Sequence, residues 1–269
     1  MFQTIKHGTL EYLTSDLLRG SAHCFSTRLG GVSTGALASL NLGTHRGDEP
    51  ENVRENYRIL GCAVGFTPEQ TVFTRQEHTD RLLVVGKADC GTGLLREQQT
   101  VCDGILTDEP DVALVCFGAD CATVLLFDPV RQAIAAVHAG WRGMAQGIVY
   151  KAVLRMQQEF GCQPQHIRAA IGPCISRCCF EVGAEVPQAM RDALGASAEA
   201  AIVPCGEKYH VDLKQIGALW LRSAGVQQID LCPACTMCQP ERFWSHRITG
   251  ANRGSQAAII KLCAGGAAR

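Results

Sequence analysis

Apolar runs of strand length alternate along the chain with segments of helical periodicity. The runs that we interpret as strands are enriched in Val, Ile, Leu and Phe. They comprise residues 23–27, 71–75, 81–86, 113–118, 123–128, 133–138, 167–172, 227–232 and 257–262. This enrichment in most of the runs is typical of strands covered on both faces. The pattern therefore predicts an α/β fold.

Three segments repeat their apolar residues with the period of a helix. The first is followed by Gly161, which stands where a helix would end, and the last is preceded by Asp212, a good N-cap residue. These segments predict helices over residues 143–160, 183–194 and 213–223.

Length and composition restrict the class of protein. The chain has 269 residues, of which 46% are hydrophobic and 19% charged, and no stretch is rich enough in Pro, Ser or Gly to mark a linker, so we expect one globular domain over residues 1–269. The formal net charge is −1 with no block of like charge, which disfavours nucleic acid as a partner. No run approaches the ~18 apolar residues of a membrane helix and the start lacks a secretory pattern, so we predict a cytoplasmic protein without a membrane partner.

The 15 cysteines are unusual for a chain of this length, and because their number is odd they cannot all pair internally. Without an export signal to indicate an oxidising compartment, we interpret most of them as small buried hydrophobic residues. Cys232, Cys235 and Cys238 are spaced three apart. Such spacing can hold zinc or an iron–sulfur cluster, but a fourth ligand is not evident, and we favour a structural or fortuitous origin.

Candidate chemistry lies where predicted strands end. In GADC (118–121), Asp120 and Cys121 interrupt a buried run, and the carboxylate needs a partner. In HAGWRG (138–143), His138 closes a strand, and Arg142 stands beside the exposed N–H groups of a helix start, where an anion would fit. The alternatives are a tight turn with a buried thiol and a strand-to-helix turn whose histidine is merely hydrogen-bonded.

Two further segments carry polar residues in loops. Gln76 and His78 follow a short strand, and Gly- and Ser-rich segments contain Arg28 and Asn41, either as surface turns or as ligand contacts. Two histidines and one cysteine would leave a tetrahedral zinc ion one open position, the pattern of catalytic sites. However, the eight histidines and 15 cysteines offer 120 His–Cys pairs, so spacing alone selects no particular set of ligands.

Taken together, these segments resemble the YfiH family, also called the laccase-domain or polyphenol oxidase family, whose members include purine nucleoside phosphorylases. The resemblance covers residues 22–262, and ADC with HAGWRG is its most specific part. The segments that carry it are, in order, FSTRLGGVSTGALASLNLG, QEH, DGILT, ADCATVLLFD, AAVHAGWRG, IGPCI, FEVG, HVDL and FWSHRITG.

The resemblance implies a layered α/β/β/α sandwich with mixed sheets and a zinc ion held by His78, Cys121 and His138. It further implies purine nucleosides and phosphate as substrates, with phosphorolysis of adenosine, inosine, guanosine and methylthioadenosine and hydrolytic deamination of adenosine. Substrate contacts near Arg247 and Arg253 are implied more weakly, because this sequence departs from the family pattern there: His246 and Ile248 replace Tyr and Arg of the usual FSYRR.

For deamination, zinc would lower the pKa of water toward ~7 and so supply a nucleophile. For phosphorolysis, we expect an anion cradle formed by Arg142 with Arg28. Asp120 would act either as a proton shuttle or as the carboxylate that orients His138. Gln76 and Asn41 are candidate substrate contacts.

Two alternatives use the same residues. Cys121 could be a thiolate nucleophile with His138 as its base, giving a metal-independent hydrolase or amidase, including one that edits cell-wall precursors. A copper polyphenol oxidase is disfavoured, because multicopper centres need close histidine pairs and the eight histidines here never lie within two residues of one another. One Cu²⁺ ion could still bind two histidines and a cysteine.

Overall fold

The computed structural model describes residues 1–263. In chain order, the strands are β1 (Phe2–His7), β2 (Leu10–Ser15), β3 (Ser21–Ser26), β4 (Thr71–Phe73), β5 (Leu82–Val84), β6 (Gly104–Thr107), β7 (Ala113–Gly118), β8 (Ala122–Asp128), β9 (Ala133–Ala139), β10 (Arg168–Ile171), β11 (Glu181–Val182), β12 (Ile202–Cys205), β13 (Lys208–Val211), β14 (Gln228–Leu231) and β15 (Gln256–Leu262). The α-helices are α1 (Pro50–Val64), α2 (Trp141–Ala145), α3 (Ile148–Phe160), α4 (Glu185–Leu194), α5 (Leu213–Ser223) and α6 (His246–Thr249).

Most strands belong to two six-stranded mixed sheets. The first has the order β1-β2-β3-β15-β7-β4 and the second the order β14-β10-β8-β9-β6-β5, while β11, β13 and β12 form a small third sheet. All nine predicted strands are present, and β7 has the predicted bounds. The prediction did not include β1, β2, β6 or the third sheet.

The two large sheets pack face to face because their strands alternate apolar side chains between two buried faces. Leu125 and Ile134 of the second sheet share an apolar cluster with Leu114 and Ile260 of the first. This cluster is the centre of the fold.

Helices cover the outer face of each sheet. Val124 and Leu126 of β8 pack in one cluster with Val153 of α3, whereas Val115 of β7 packs with Tyr57 of α1. The result is an α/β/β/α arrangement, as the resemblance implied.

Two predicted helices match closely, and one is divided. α5 has the predicted bounds, and the Asp212 carboxylate accepts a hydrogen bond from the Gln215 N–H at 3.1 Å. The continuous helix predicted over residues 143–160 was wrong: Gly147 adopts a φ of 71° and separates α2 from α3. The indole of Trp220 lies against this break and donates to the Met144 carbonyl at 2.7 Å, which satisfies an acceptor at the end of α2.

Candidate active site and metal centre

Strand register brings the candidate ligands together at one end of the second sheet. Ala122 at the start of β8 pairs with Ala139 at the end of β9, so Cys121 and His138 are neighbours across this pair. His78 approaches from the loop between β4 and β5. The ligand atoms of the three side chains lie within 4.8 Å of one another, and the Cys121 Sγ is 3.7 Å from the His78 Nε2.

A glycine makes this convergence sterically feasible. A Cβ atom on Gly140 would lie 2.8 Å from the His78 ring and 3.1 Å from the Cys121 Sγ. Any larger residue would push these two side chains apart. The first glycine of HAGWRG is therefore required by packing around the site.

Asp103 orients the site, a role that its position in the sequence did not indicate. Its fully buried carboxylate accepts a hydrogen bond from His138 Nδ1 at 2.8 Å. It also accepts from the backbone N–H of His78 at 3.0 Å and from both the N–H and the hydroxyl of Thr79 at 2.8 Å. One carboxylate thus holds the His78 loop in place and leaves the Nε2 of His138 free to act as a ligand.

The three buried groups shift one another's pKa values. Burial acts to raise the pKa of Cys121, but hydrogen bonds with His138 and His78 outweigh it and lower that pKa to about 6. Burial acts to lower the pKa of His138, but its bonds to Asp103 and Cys121 raise that pKa to about 9. Burial acts to raise the pKa of Asp103, yet His138 and Thr79 lower it to about 2. At neutral pH, Cys121 is therefore a thiolate, the form that binds a metal or attacks an electrophile.

A cavity of about 710 Å³ opens onto these three side chains. Its size is that of small-molecule sites. Phe73, Phe117 and Leu94 supply an apolar wall, and the lining contains five arginines but only one acidic residue, Glu97. The cavity is suited to an anionic ligand that has an apolar or aromatic part.

Arg46 and Arg253 are two of the five arginines that line this cavity. Arg46 donates to the Ser255 hydroxyl at 3.1 Å and Arg253 to the Gly254 carbonyl at 2.9 Å. Within residues 1–263 neither guanidinium has a carboxylate partner, and the buried Arg253 Nε lacks a hydrogen-bond acceptor. Burial and the nearby Arg46 lower the pKa of Arg253 to about 10. An anion between these two side chains would satisfy the unpaired donor and offset their repulsion.

Known proteins resemble this chain over most of its length. The family model described as "Multi-copper polyphenol oxidoreductase laccase" matches residues 22–263. The chain belongs to this laccase-like family. A purine nucleoside phosphorylase of Bacteroides thetaiotaomicron is 36% identical over 87% of this chain and 88% of its own length. The purine nucleoside phosphorylase YlmD of Bacillus subtilis is 35% identical over 88% and 87%.

Solved structures of the laccase-like family share the fold. YlmD from Geobacillus stearothermophilus superposes with a TM-score of 0.90 at 32% identity, over 96% of this chain and 98% of that one. The YfiH protein of Bacillus licheniformis has a TM-score of 0.86 at 32% identity, over 90% of this chain and 92% of that one.

Of the helices in the part of the chain that the structure describes, none has the length and apolar character to cross a bilayer.

Two predicted substrate contacts, Asn41 and Gln76, have their side chains hydrogen-bonded to the protein backbone. Asn41 is fully buried, and its Oδ1 accepts from the N–H groups of Gly43 and Ser255, both at 3.0 Å. Gln76 lines the cavity, but its amide bonds both the N–H and the carbonyl of Phe117, at 2.6 and 3.0 Å. Asn41 therefore positions two lining residues without reaching the cavity, and Gln76 has its amide committed to β7.

The arginines predicted from motifs lie away from this cavity. Arg28 stacks on Trp244 at 3.8 Å and donates to the carbonyl groups of Ala38 and Pro240. Arg142 is exposed and rests on its neighbour Trp141. The structure does not support these two residues as a joint anion cradle, because neither lines the cavity that contains the candidate metal ligands.

Arg247 is likewise outside the cavity lining. Its guanidinium donates to the Glu181 carbonyl at 3.0 Å, and its side chain is exposed. Its backbone N–H donates to Asp120 at 2.6 Å. Arg247, which was predicted to bind substrate, therefore makes a structural contact within the protein.

Asp120 does not orient His138, since Asp103 has that position. The Asp120 carboxylate accepts from the hydroxyls of Thr236 at 2.6 Å and Ser245 at 3.0 Å, besides the Arg247 N–H. Its backbone φ is 86°, a conformation that Asp tolerates better than most residues. Three donors hold this carboxylate, so it fixes the turn that presents Cys121. Its role as a proton shuttle stays a prediction.

Proposed function

We propose that the chain is a zinc-dependent purine nucleoside phosphorylase acting on adenosine, inosine, guanosine and methylthioadenosine, with deamination of adenosine as a second reaction. The observation that carries the proposal is a single cavity joining a two-histidine, one-cysteine ligand set to a pair of uncompensated arginines. Relatives named purine nucleoside phosphorylase support it. A cytoplasmic location, without nucleic acid or membrane partners, belongs to the same proposal.

The three ligands fit zinc. With ordinary zinc–sulfur and zinc–nitrogen bond lengths, a tetrahedral ion holds sulfur and nitrogen about 3.6 Å apart, and the Cys121 Sγ and His78 Nε2 are 3.7 Å apart. When bound there, zinc would supply a Lewis acid and lower the pKa of a coordinated water. The same donor types also accept Cu²⁺, so metal analysis of the purified protein is part of the test.

The chain's own residues divide the remaining work. Arg46 and Arg253 hold phosphate through charge-assisted hydrogen bonds, and Phe73 with Phe117 provides an aromatic wall for the purine. Asp103 keeps His138 in the tautomer protonated at Nδ1. In phosphorolysis, the bond from ribose C1′ to the purine nitrogen breaks, a bond from C1′ to a phosphate oxygen forms, and the purine leaves with the proton that the attacking hydrogen phosphate loses.

Product analysis tests the reaction directly. Zinc-loaded protein with inosine and phosphate is expected to release hypoxanthine and ribose 1-phosphate in equal amounts, and adenosine without phosphate is expected to give inosine. A chelator should abolish both reactions and zinc should restore them. Separation of the products by chromatography, with and without phosphate, makes the measurement. Release of free base at the same rate without phosphate would contradict the proposal.

Arg253→Ala and Arg46→Ala are each expected to raise the KM for phosphate at least about 10-fold, because a hydrogen bond to a charged group contributes about 1.5–3 kcal/mol. The KM for inosine should change less, since the arginines bind the other substrate. Arg142→Ala is the matched control: it removes an exposed arginine outside the cavity and should leave the KM for phosphate unchanged. If Arg142→Ala raised the KM for phosphate and the other two variants did not, Arg142 would be the residue that binds phosphate.

A second candidate function rests on a specific observation. Cys121, His138 and Asp103 form a thiolate, imidazolium and carboxylate series, the order found in cysteine hydrolases. In that reaction the thiolate attacks an amide carbonyl without a metal. Activity that resists chelation but is lost on alkylation of Cys121 would favour this hydrolase.

The polyphenol oxidase alternative needs a different ligand set. Among the candidate metal-binding groups found in residues 1–263, none has more than two histidines. A multicopper centre requires more imidazoles than these groups provide. Phenol oxidation in proportion to one bound copper ion would support the polyphenol oxidase alternative.

A further inference from the structure

Four cysteines from two separate loops converge on one face of the protein. Cys178 and Cys179 lie between β10 and β11, and Cys235 and Cys238 lie between β14 and α6. Their sulfur atoms all fall within 4.8 Å of one another. The Cys238 Sγ is 3.3 Å from that of Cys179 and 3.6 Å from that of Cys178.

This group of four cysteines differs from the set Cys232, Cys235 and Cys238 that the sequence spacing indicated. Cys232 is buried outside the group, where its carbonyl accepts a hydrogen bond from Lys214 at 2.6 Å. The adjacent pair Cys178–Cys179, remote in sequence, joins Cys235 and Cys238 in the group. The set therefore contains four thiols rather than three.

The spacing of the sulfur atoms fits a single metal ion. Sulfurs bound to one tetrahedral zinc ion at about 2.3 Å are about 3.8 Å apart, close to the two distances observed. A disulfide would bring two sulfurs to about 2.05 Å, and all four cysteines are free thiols. An iron–sulfur cluster inserts several irons and sulfides between its cysteines, which needs a wider separation.

Backbone contacts hold the two loops ready for an ion. The Ser176 N–H donates to the Cys235 Sγ at 3.3 Å, and such a bond favours a thiolate. The Thr236 N–H donates to the Cys174 carbonyl at 3.1 Å, so the loops also pair through their backbones. We propose that these four cysteines bind a second, structural zinc ion through four thiolates.

This ion would act on the fold beside the active site. Thr236, next to the cluster, donates its hydroxyl to Asp120 at 2.6 Å, and Asp120 precedes the metal ligand Cys121. A zinc ion that ties the two loops together therefore stabilises the turn that presents Cys121. Because all four positions of a tetrahedral ion are filled by protein, the site is structural and has no open position for substrate.

Metal stoichiometry tests the site independently of any activity. Protein expressed with zinc is expected to contain two zinc ions per chain by elemental mass spectrometry. Cys121→Ala should retain one of them, and adding Cys235→Ser to it should leave none. Cys62→Ser is the matched control, because Cys62 is an exposed cysteine on α1 outside both groups. One zinc per chain, unchanged by Cys235→Ser, would overturn the proposal even if the phosphorylase were confirmed.

A spectroscopic readout identifies the ligands. Cobalt bound to the Cys121→Ala variant should give the strong thiolate-to-cobalt charge-transfer absorption of a four-sulfur site, and Cys178→Ser or Cys238→Ser should abolish it or weaken it sharply. Zinc should displace the cobalt. Removal of the bound zinc should lower the melting temperature of the protein. A Cys179–Cys238 disulfide in mass spectra of freshly purified protein, or iron with acid-labile sulfide in place of zinc, would contradict the assignment.

Discussion

Replacing His78 by Asn is expected to lower kcat/KM for inosine phosphorolysis at least about 10³-fold, because a metal-dependent step loses one of three protein ligands. Asn suits this position because the backbone φ of His78 is 60°, which Asn adopts at less cost than Ala. The variant keeps Cys121, His138 and Asp103. Steady-state kinetics with zinc in excess, together with zinc titration, make the measurement.

This variant separates the two candidate functions more sharply than a change at Cys121. Both the phosphorylase and the thiol hydrolase need Cys121 and His138, but only the metal site needs His78 as a ligand. In the thiol hydrolase, His78 would only help His138 to lower the pKa of Cys121. His7→Asn is the control, because His7 is an exposed histidine on β1 remote from the cavity. Full activity in His78→Asn together with loss in Cys121→Ala would exclude the metal and support the nucleophilic thiol.

The elements that the sequence predicts well are those whose pattern has one physical interpretation. β7, β8 and β9 are buried on both faces, and their sequences are predominantly apolar. α5 combines an N-cap at Asp212 with an apolar stripe. In contrast, the helix over 143–160 has a continuous apolar stripe, and only the left-handed conformation of Gly147 shows that it is divided.

The elements that were missed carry weaker signals. α1 is rich in charged residues, and its buried side comprises few apolar positions, among them Val53, Tyr57 and Leu60. Its spacing of i, i+4 and i+7 and the terminal Gly65 could have revealed it. β1 lies at the edge of its sheet and is largely exposed, so its alternation is poor.

The site illustrates a different limit. His78, Cys121 and His138 converge through strand register and loop packing, which spacing along the chain does not encode, and the family resemblance was needed to select them. Asp103 was quoted within DGILT, yet its role depends on the pairing of β6 with β9, which places it beside His138. Arg46 and Arg253 come from opposite ends of the chain and are united only by the fold.

The Asp103→Asn variant is expected to lose about 10- to 100-fold in zinc affinity, as carboxylates that orient metal-binding histidines do, and about 2–4 kcal/mol of unfolding free energy. The Asp103 carboxylate accepts hydrogen bonds from His138, from Thr79 twice, and from the N–H groups of Glu77 and His78. An amide has one oxygen, so its NH₂ group would face donors that it cannot satisfy. Asp108→Asn is the control, since Asp108 follows the far end of β6 and is exposed.

The pH dependence gives this prediction a definite sign. Because the pKa of Asp103 falls from its ordinary 3.8 to about 2 on folding, its carboxylate stabilises the native state above pH 4 and loses that contribution as pH falls toward 2. The asparagine variant cannot titrate there. The difference in unfolding free energy between wild type and variant should therefore be largest above pH 4 and should narrow below it, in denaturant titrations of metal-free protein. If the difference in unfolding free energy stays constant from pH 5 to pH 2, Asp103 contributes to stability through packing. A residue other than Asp103 would then have to orient His138.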